Sequence, residues 1–247
     1  MAQHERISTP RNLHYMRVAN AIRAGRGIEE IVNILNRDAM EEWFDDFSGD
    51  LIADEWTVIS DTSTAATAGS LLTITGNATT GKYYGIIGGL NYLPTHSCFM
   101  QARFNQTVAT TTQKIEIGFT DSLSATGLVN ALGNVGVNAS FTGADGAVLI
   151  WDTSSNNTKW CACAPRPAAA SRKVVTDTAP AITAYITVGV RIDNTDAIFY
   201  IDGRQVAVIT GATTAATALA PTIFYQSRGA STVANIDYVW TIQSRRT

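Results

Sequence analysis

Charge is scarce in this chain of 247 residues: Asp, Glu, Lys and Arg together make up 16% of it, against about a quarter in an average soluble domain. The formal net charge of −3 offers neither nucleic acid nor an anionic membrane a general attraction. Histidine is nearly absent. His4 and His14 fall in the N-terminal stretch, which leaves His96 alone in the remainder. Cysteine is odd in number, and two of the three, Cys161 and Cys163, sit in "WCACAP". That pattern fits reduced thiols better than a disulfide framework, and a zinc site lacks its fourth ligand and second pair. No G-x-S-x-G elbow occurs. The opening "MAQHERISTPRN" has no apolar run of a secretory signal, and no stretch is long enough to span a bilayer. The expectation is synthesis and folding in the cytoplasm.

What remains is apolar and hydroxyl-rich, with 45% hydrophobic residues, ample for a core. Two unlike parts follow one another. Residues 1–41 carry six arginines, Arg6, Arg11, Arg17, Arg23, Arg26 and Arg37. Thr9-Pro10 is a good helix start, with Thr9 as N-cap and Pro10 at the first helical position. Tyr15, Val18, Ala19 and Ile22 recur at helical spacing, and after Gly25 and Gly27 a second stripe runs through Ile28, Ile31, Val32 and Leu35. This predicts a helical arm of two short amphipathic helices, each too short to be stable alone.

From "WFDDFSGDL" onward the period changes to alternation. Ten or so runs such as "CFMQARFNQTV", "QKIEIGFTD", "AVLIWDT" and "VANIDYVWTI" are β-branched and aromatic, separated by Gly, Asn, Asp, Ser and Thr. Such density of strands without intervening helix predicts a mainly β domain over 42–247, a two-sheet antiparallel sandwich. In "AIFYIDGRQVAVI", Asp202-Gly203 is a favoured two-residue turn. That turn opposes Phe199 to Val206 and puts Ala197, Phe199, Ile201, Val206 and Val208 on the core face. The heptapeptide from Gly76 to Lys82 spells G-x-x-x-x-G-K. A phosphate-binding loop then needs Ser or Thr and a helix, whereas Tyr83 and "YYGIIGG" follow. The segment reads instead as a hairpin, with Gly76 and Gly81 bracketing its turn.

The motifs "DDFSGDL…W" (Asp45–Trp56), "KIEIGFTDS" (Lys114–Ser122), "VGVRIDNTDAIFYIDGRQV" (Val188–Val206) and "NIDYVWTI" (Asn235–Ile242) resemble the concanavalin A-like jelly-roll superfamily of lectins and glucanases. The version resembled is the one found in bacteriophage virion structural proteins. The resemblance implies stacked antiparallel sheets, and it leaves function to the site. Glucanases of the superfamily carry Glu-x-Asp-x-Glu on one strand. The matching residues are Glu116, Gly118 and Thr120, so only one carboxylate is present where a retaining mechanism needs two about 5–5.5 Å apart. His96 and Cys98 read as a loop histidine and a buried thiol rather than a catalytic pair. The oxygen-rich stretches at Trp151–Asn157 and Arg191–Asp196 read as turns rather than calcium loops.

The sequence therefore predicts a protein that is not an enzyme and uses no cofactor or metal. The expected role is a virion structural protein, most of all a capsid decoration (cement) protein of the particle. Its partners would be a major capsid or other virion protein and further copies of itself, with neither membrane nor nucleic acid. The arm would dock through Arg11, Arg17 and Arg23, with Tyr15, Val18, Ile22, Ile28, Ile31 and Leu35 filling grooves. The alternative is a particle-anchored fibre or adhesin whose jelly roll binds host glycan, with Tyr84, Trp151 and Trp160 as the stacking platform.

Overall fold

The computed structural model describes residues 40–48, 56–89, 91–106, 113–122, 127–131, 140–153, 158–166, 173–180, 183–231 and 233–244. The predicted arm lies outside them except for Met40 and Glu41, which open the first strand. In chain order the strands are β1 (Met40–Asp45), β2 (Thr57–Ser60), β3 (Thr64–Thr67), β4 (Leu72–Thr75), β5 (Tyr83–Ile87) and β6 (Cys98–Gln106). Then come β7 (Gln113–Thr120), β8 (Val129–Ala131), β9 (Ser140–Phe141), β10 (Gly146–Asp152), β11 (Cys161–Cys163) and β12 (Lys173–Val175). Last are β13 (Ile186–Asp193), β14 (Asp196–Ile201), β15 (Arg204–Ile209), β16 (Ala220–Ser227) and β17 (Val233–Ser244). No helix among the described residues is long and apolar enough to cross a membrane.

Two antiparallel sheets take nearly all of these strands. An eight-stranded sheet runs β15-β14-β13-β6-β17-β4-β3, with β1 also paired to β17. A seven-stranded sheet runs β12-β11-β10-β7-β16-β5-β2, and β8 pairs β9 separately. Strict alternation in β6 turns Cys98, Met100, Ala102, Phe104 and Gln106 inward, while Phe99, Gln101, Arg103 and Asn105 face out. The inward rows of both sheets interdigitate in one core, with Met100, Phe104, Ile117, Phe119, Phe199 and Tyr225 among its members. The Asp45 carboxylate fixes the entry to the sandwich by accepting bonds from the Phe47 amide (2.8 Å) and the Trp56 indole (2.8 Å). Both aromatic side chains are buried. The mainly β, two-sheet reading of the sequence holds.

β7, β10 and β16 depart from half-buried alternation, since every residue in them is buried. Their outer face is therefore covered, and on the β10 side a second small core does the covering. Leu128, Val129, Val148, Ile150, Cys161 and Cys163 pack together with Phe141 on that side.

Two local expectations are corrected. The segment 76–82 is no hairpin turn, because β4 belongs to the eight-stranded sheet and β5 to the other; it crosses between layers. Gly76 is required there, as a Cβ would stand 2.1 Å from the Tyr225 hydroxyl. In the hairpin of β14 and β15, the turn at Asp202 and Gly203 (φ 48° and 74°) is as predicted, and Ile201 opposes Arg204. A bulge after Phe199 then shifts the register, so that Phe199 opposes Ala207. Ala207 and Ile209 consequently face the core, and Val208 is 45% exposed. One extra residue reverses the side of every later side chain.

Candidate functional site

β7 is the central strand of the seven-stranded sheet, and its outer side carries Lys114, Glu116, Gly118 and Thr120 in alternation. Lys114 and Glu116, two residues apart, form an ion pair of 2.7 Å with both side chains at 0% exposure. Each is further satisfied by the segment that covers them. The Glu116 carboxylate accepts the Leu128 amide at 2.8 Å and the Val129 amide at 3.1 Å. Lys114 donates to the Val129 carbonyl oxygen and lies over the Phe224 ring, 5.2 Å from its centroid. Gly127 (φ +71°) allows this approach, since a Cβ there would stand 2.6 Å from Glu116 Oε2. The Thr142 hydroxyl pins the same segment from above by donating to the Gly127 and Leu128 carbonyls. Burial pushes the Glu116 carboxyl up, and the Lys114 ammonium and the two amides pull it partly back.

The two remaining positions of the alternating set offer no acid. Gly118 (φ +153°) has no room for a side chain: a Cβ would stand 2.2 Å from the Ala147 carbonyl oxygen of β10. Thr120 turns its hydroxyl to the backbone of Ser122, donating at 3.0 Å and accepting at 3.1 Å. The nearest row on this face holds Asp152 and Gln226 on either side of Lys114. Asp152 is buried and clamped by a two-pronged bond from Arg228, at 3.1 and 2.6 Å. Two cations and two carboxylates thus cancel, and the single carboxylate of the alternating set is consumed by structure. General acid–base cleavage of a glycoside needs a free pair; this face presents an electrically closed plug.

The cysteines of this face are equally enclosed. All three thiols of the chain are free and buried. Burial pushes Cys98 up to about 12 and Cys161 up to about 11, and Cys163 well above its ordinary value. A disulfide-exchange reagent at about pH 8 is therefore expected to modify none of them in the folded protein, and all three in denaturant. Rapid reaction of one thiol in the native state would contradict this arrangement.

The predicted sugar platform does not survive. Trp160, Tyr84 and Trp151 are 0%, 5% and 7% exposed and belong to the core between the sheets, so no ring face is open to a ligand. The predicted arm residues Arg11, Tyr15, Arg17, Val18, Ile22, Arg23, Ile28, Ile31 and Leu35 lie outside the described residues. His96 stands in a short 3-10 turn, Pro94–His96, ahead of buried Cys98. Asp193 serves local structure, accepting from Arg191 and from the Ser97 hydroxyl, each at 2.8 Å. Among the described residues no three His, Cys, Asp or Glu side chains gather as metal ligands.

On the outer face of the eight-stranded sheet, sequence reasoning flagged the hairpin side that holds Tyr200 as too apolar for full solvation and passed over Phe99. Phe99 meets Trp240 at 5.5 Å and Tyr200 at 6.2 Å, both edge-on, and its ring leans over Gly189. Phe44, 56% exposed, lies beside Tyr238 at 5.6 Å. The polar residues around this strip are paired among themselves: Arg103 with Asp237, Arg191 with Asp193, and Gln101 with the Tyr238 hydroxyl. The signal for it was the outward phase of "CFMQARF", which puts Phe99 opposite the core residues.

No protein-family model matches the chain, and no curated protein does. Solved structures do. The carbohydrate recognition domain of Emp47p aligns at TM-score 0.58 with 11% identity, covering 85% of this chain and 98% of that one. The fold is the concanavalin A-like jelly roll. The Bacillus licheniformis β-glucanase shares that jelly roll at TM-score 0.54 and 8% identity, over 83% of this chain and 98% of its own. So does the exoplasmic/lumenal domain of VIP36, in its Ca2+/Man3GlcNAc-bound form, at TM-score 0.56 and 12% identity, over 83% of this chain and 89% of its own. At these identities the jelly roll alone is shared, and it houses lectins and glycan-active enzymes alike.

Proposed function

We propose that the chain is a non-enzymatic structural protein of a virion, a capsid decoration (cement) protein that acts through its surfaces. The observation that carries the non-enzymatic reading is the Lys114–Glu116 plug, sealed at 0% exposure on the strand where the resemblance places glucanase acids. The aromatic strip of Phe44, Tyr238, Trp240, Phe99 and Tyr200, rimmed by polar groups already paired, has the make-up of a protein contact with an aromatic centre and polar edge. The arm of residues 1–41 would supply a second contact, its arginines on acidic shell surface and its apolar stripes in grooves. Many copies would then brace the shell by adding weak contacts, as a symmetric oligomer.

Mixing full-length protein, and protein lacking residues 1–41, with shells stripped of it tests this by sedimentation. The expected result is saturable co-sedimentation of the full-length chain and loss of most binding without the arm. Failure of both forms to bind overturns the decoration role. The adhesin reading then takes over, favoured by the jelly roll shared with a carbohydrate recognition domain and by the aromatic strip, in which Phe44 is exposed and Phe99, Tyr200, Tyr238 and Trp240 are half-buried. Glycan-array binding abolished by Trp240→Ala would establish it.

A further inference from the structure

Four buried polar atoms lie at one end of the core without a partner. Gln106 and Gln113 are 1% and 0% exposed, and both the amide nitrogen and the amide oxygen of each lack a hydrogen-bond partner among the described residues. The Trp160 indole N–H, 0% exposed, is in the same condition. In native proteins such groups are almost always satisfied by protein or by ordered water.

The topology places the two glutamines at the same end of two facing strands. β6 and β7 are each the fourth strand in their sheet's order, and the two strands pack across the sandwich. Gln106 ends β6 and Gln113 begins β7, so both stand at the same end. Both side chains point inward, Gln106 two residues beyond Phe104 and Gln113 two residues before Ile115. Trp160 ties these layers together. It meets the Phe104 ring edge-on at 5.7 Å from one residue beyond the Ile150–Cys161 pair, next to the layer of Ile115 and Trp151. The glutamines therefore form the next layer outward. Sheets stack about 10 Å apart, a gap that two inward glutamines nearly close, yet neither amide bonds the other.

We propose that Gln106 and Gln113, with the Trp160 indole, form an internal binding site for water that closes this end of the core. The ligand must both donate and accept, because each amide presents an oxygen and an NH₂ while the indole only donates. The lining is fully buried, so the ligand must also be small. Water meets both demands, typically making about three bonds in such sites.

The test is a high-resolution crystal structure of the full chain, joined to Gln106→Met and Gln113→Met, which keep length and remove the amide. Ordered water within hydrogen-bonding distance of both amides is expected, and each single variant should lower Tm by about 2–8 °C by stranding the remaining groups. Dry space, a direct amide-to-amide bond, or single variants that both raise Tm overturns the proposal. Should a variant fail to fold, glutamine-labelled wild-type protein decides by NMR. Cross-relaxation between the side-chain amide protons and long-lived water supports the site, and its absence from both glutamines refutes it.

Discussion

Lys114→Met destabilises the jelly roll by about 3–5 kcal/mol at neutral pH, because it leaves a carboxylate buried without its counter-charge. Glu116 keeps the amides of Leu128 and Val129, which satisfy its oxygens but not its charge. The double variant Lys114→Met/Glu116→Gln removes the buried charge and recovers part of the loss: the new amide oxygen still accepts from Leu128, and its NH₂ can donate to the Val129 carbonyl that Lys114 vacated, but the Val129 N–H loses its acceptor. Urea unfolding of the wild type, both single variants and the double variant measures the coupling. The pH dependence carries a sign. Burial raises Glu116 in the folded state, with Lys114 opposing that rise. Between the ordinary carboxylate range and the raised value the folded protein therefore holds a proton that the unfolded chain lacks. Stability from this group falls as pH rises through that window. Removing Lys114 raises the folded value further, so the penalty of Lys114→Met should be largest near pH 8 and shrink towards about pH 5. A penalty that is flat with pH, or under about 1 kcal/mol throughout, means that the pair is not sealed from water.

Gly118→Asp, the change that restores a carboxylate at the second position of the glucanase pattern, costs about 3 kcal/mol or more and confers no glucan hydrolysis. Both effects follow from one contact. A Cβ at Gly118 meets the Ala147 carbonyl oxygen at 2.2 Å, which is backbone of the neighbouring strand and has nowhere to go. The backbone conformation, at φ +153°, is strained for any other residue, and overpacking and strain of this kind each cost about 1–3 kcal/mol. Gly118→Ala should cost nearly as much, since the clash begins at Cβ. Soluble expression and thermal unfolding of both variants, beside Thr120→Ser as a mild control, check the order. A stable, folded Gly118→Asp protein would show that the strands at this locus can separate to admit a side chain.

These two residues also mark how much was legible in the sequence. The alternation in "KIEIGFTDS" placed Glu116, Gly118 and Thr120 on one side of a strand, and the loss of the carboxylate pattern was visible there. Lys114 lay in the same alternation, but the Val129 carbonyl that it bonds, like the Leu128 and Val129 amides that bond Glu116, belongs to a segment leading into β8 with no strand signal in the sequence. Period-2 patterning finds which side a residue takes and not what covers that side. For this reason Trp151 and Trp160 looked like available rings when both point into the core. The bulge after Phe199 was hidden for a related reason. Phe199, Ala207 and Val208 are all apolar enough for either face, so the pattern could not choose the register. The crossing at 76–82 was hidden because glycines at a layer change and glycines in a hairpin turn look alike. The face holding Phe99 was readable in "CFMQARF", where Cys98, Met100, Ala102 and Phe104 take one side and Phe99, Gln101 and Arg103 the other.

The placement of β17 has a consequence for how the chain comes to be folded. Residues 233–244 lie between β6 and β4 in the middle of the larger sheet, pairing with residues made some 130 positions earlier, such as Asn105 with Asn235. Until that segment is synthesised, β6 has one open edge and the inward faces of both sheets have an unfilled stripe. Folding dominated by such distant pairings is slow and exposes strand edges to other chains. Early fragments of this protein should therefore be the ones that need protection in the cell, and the finished sandwich becomes cohesive only when its late central strand is inserted.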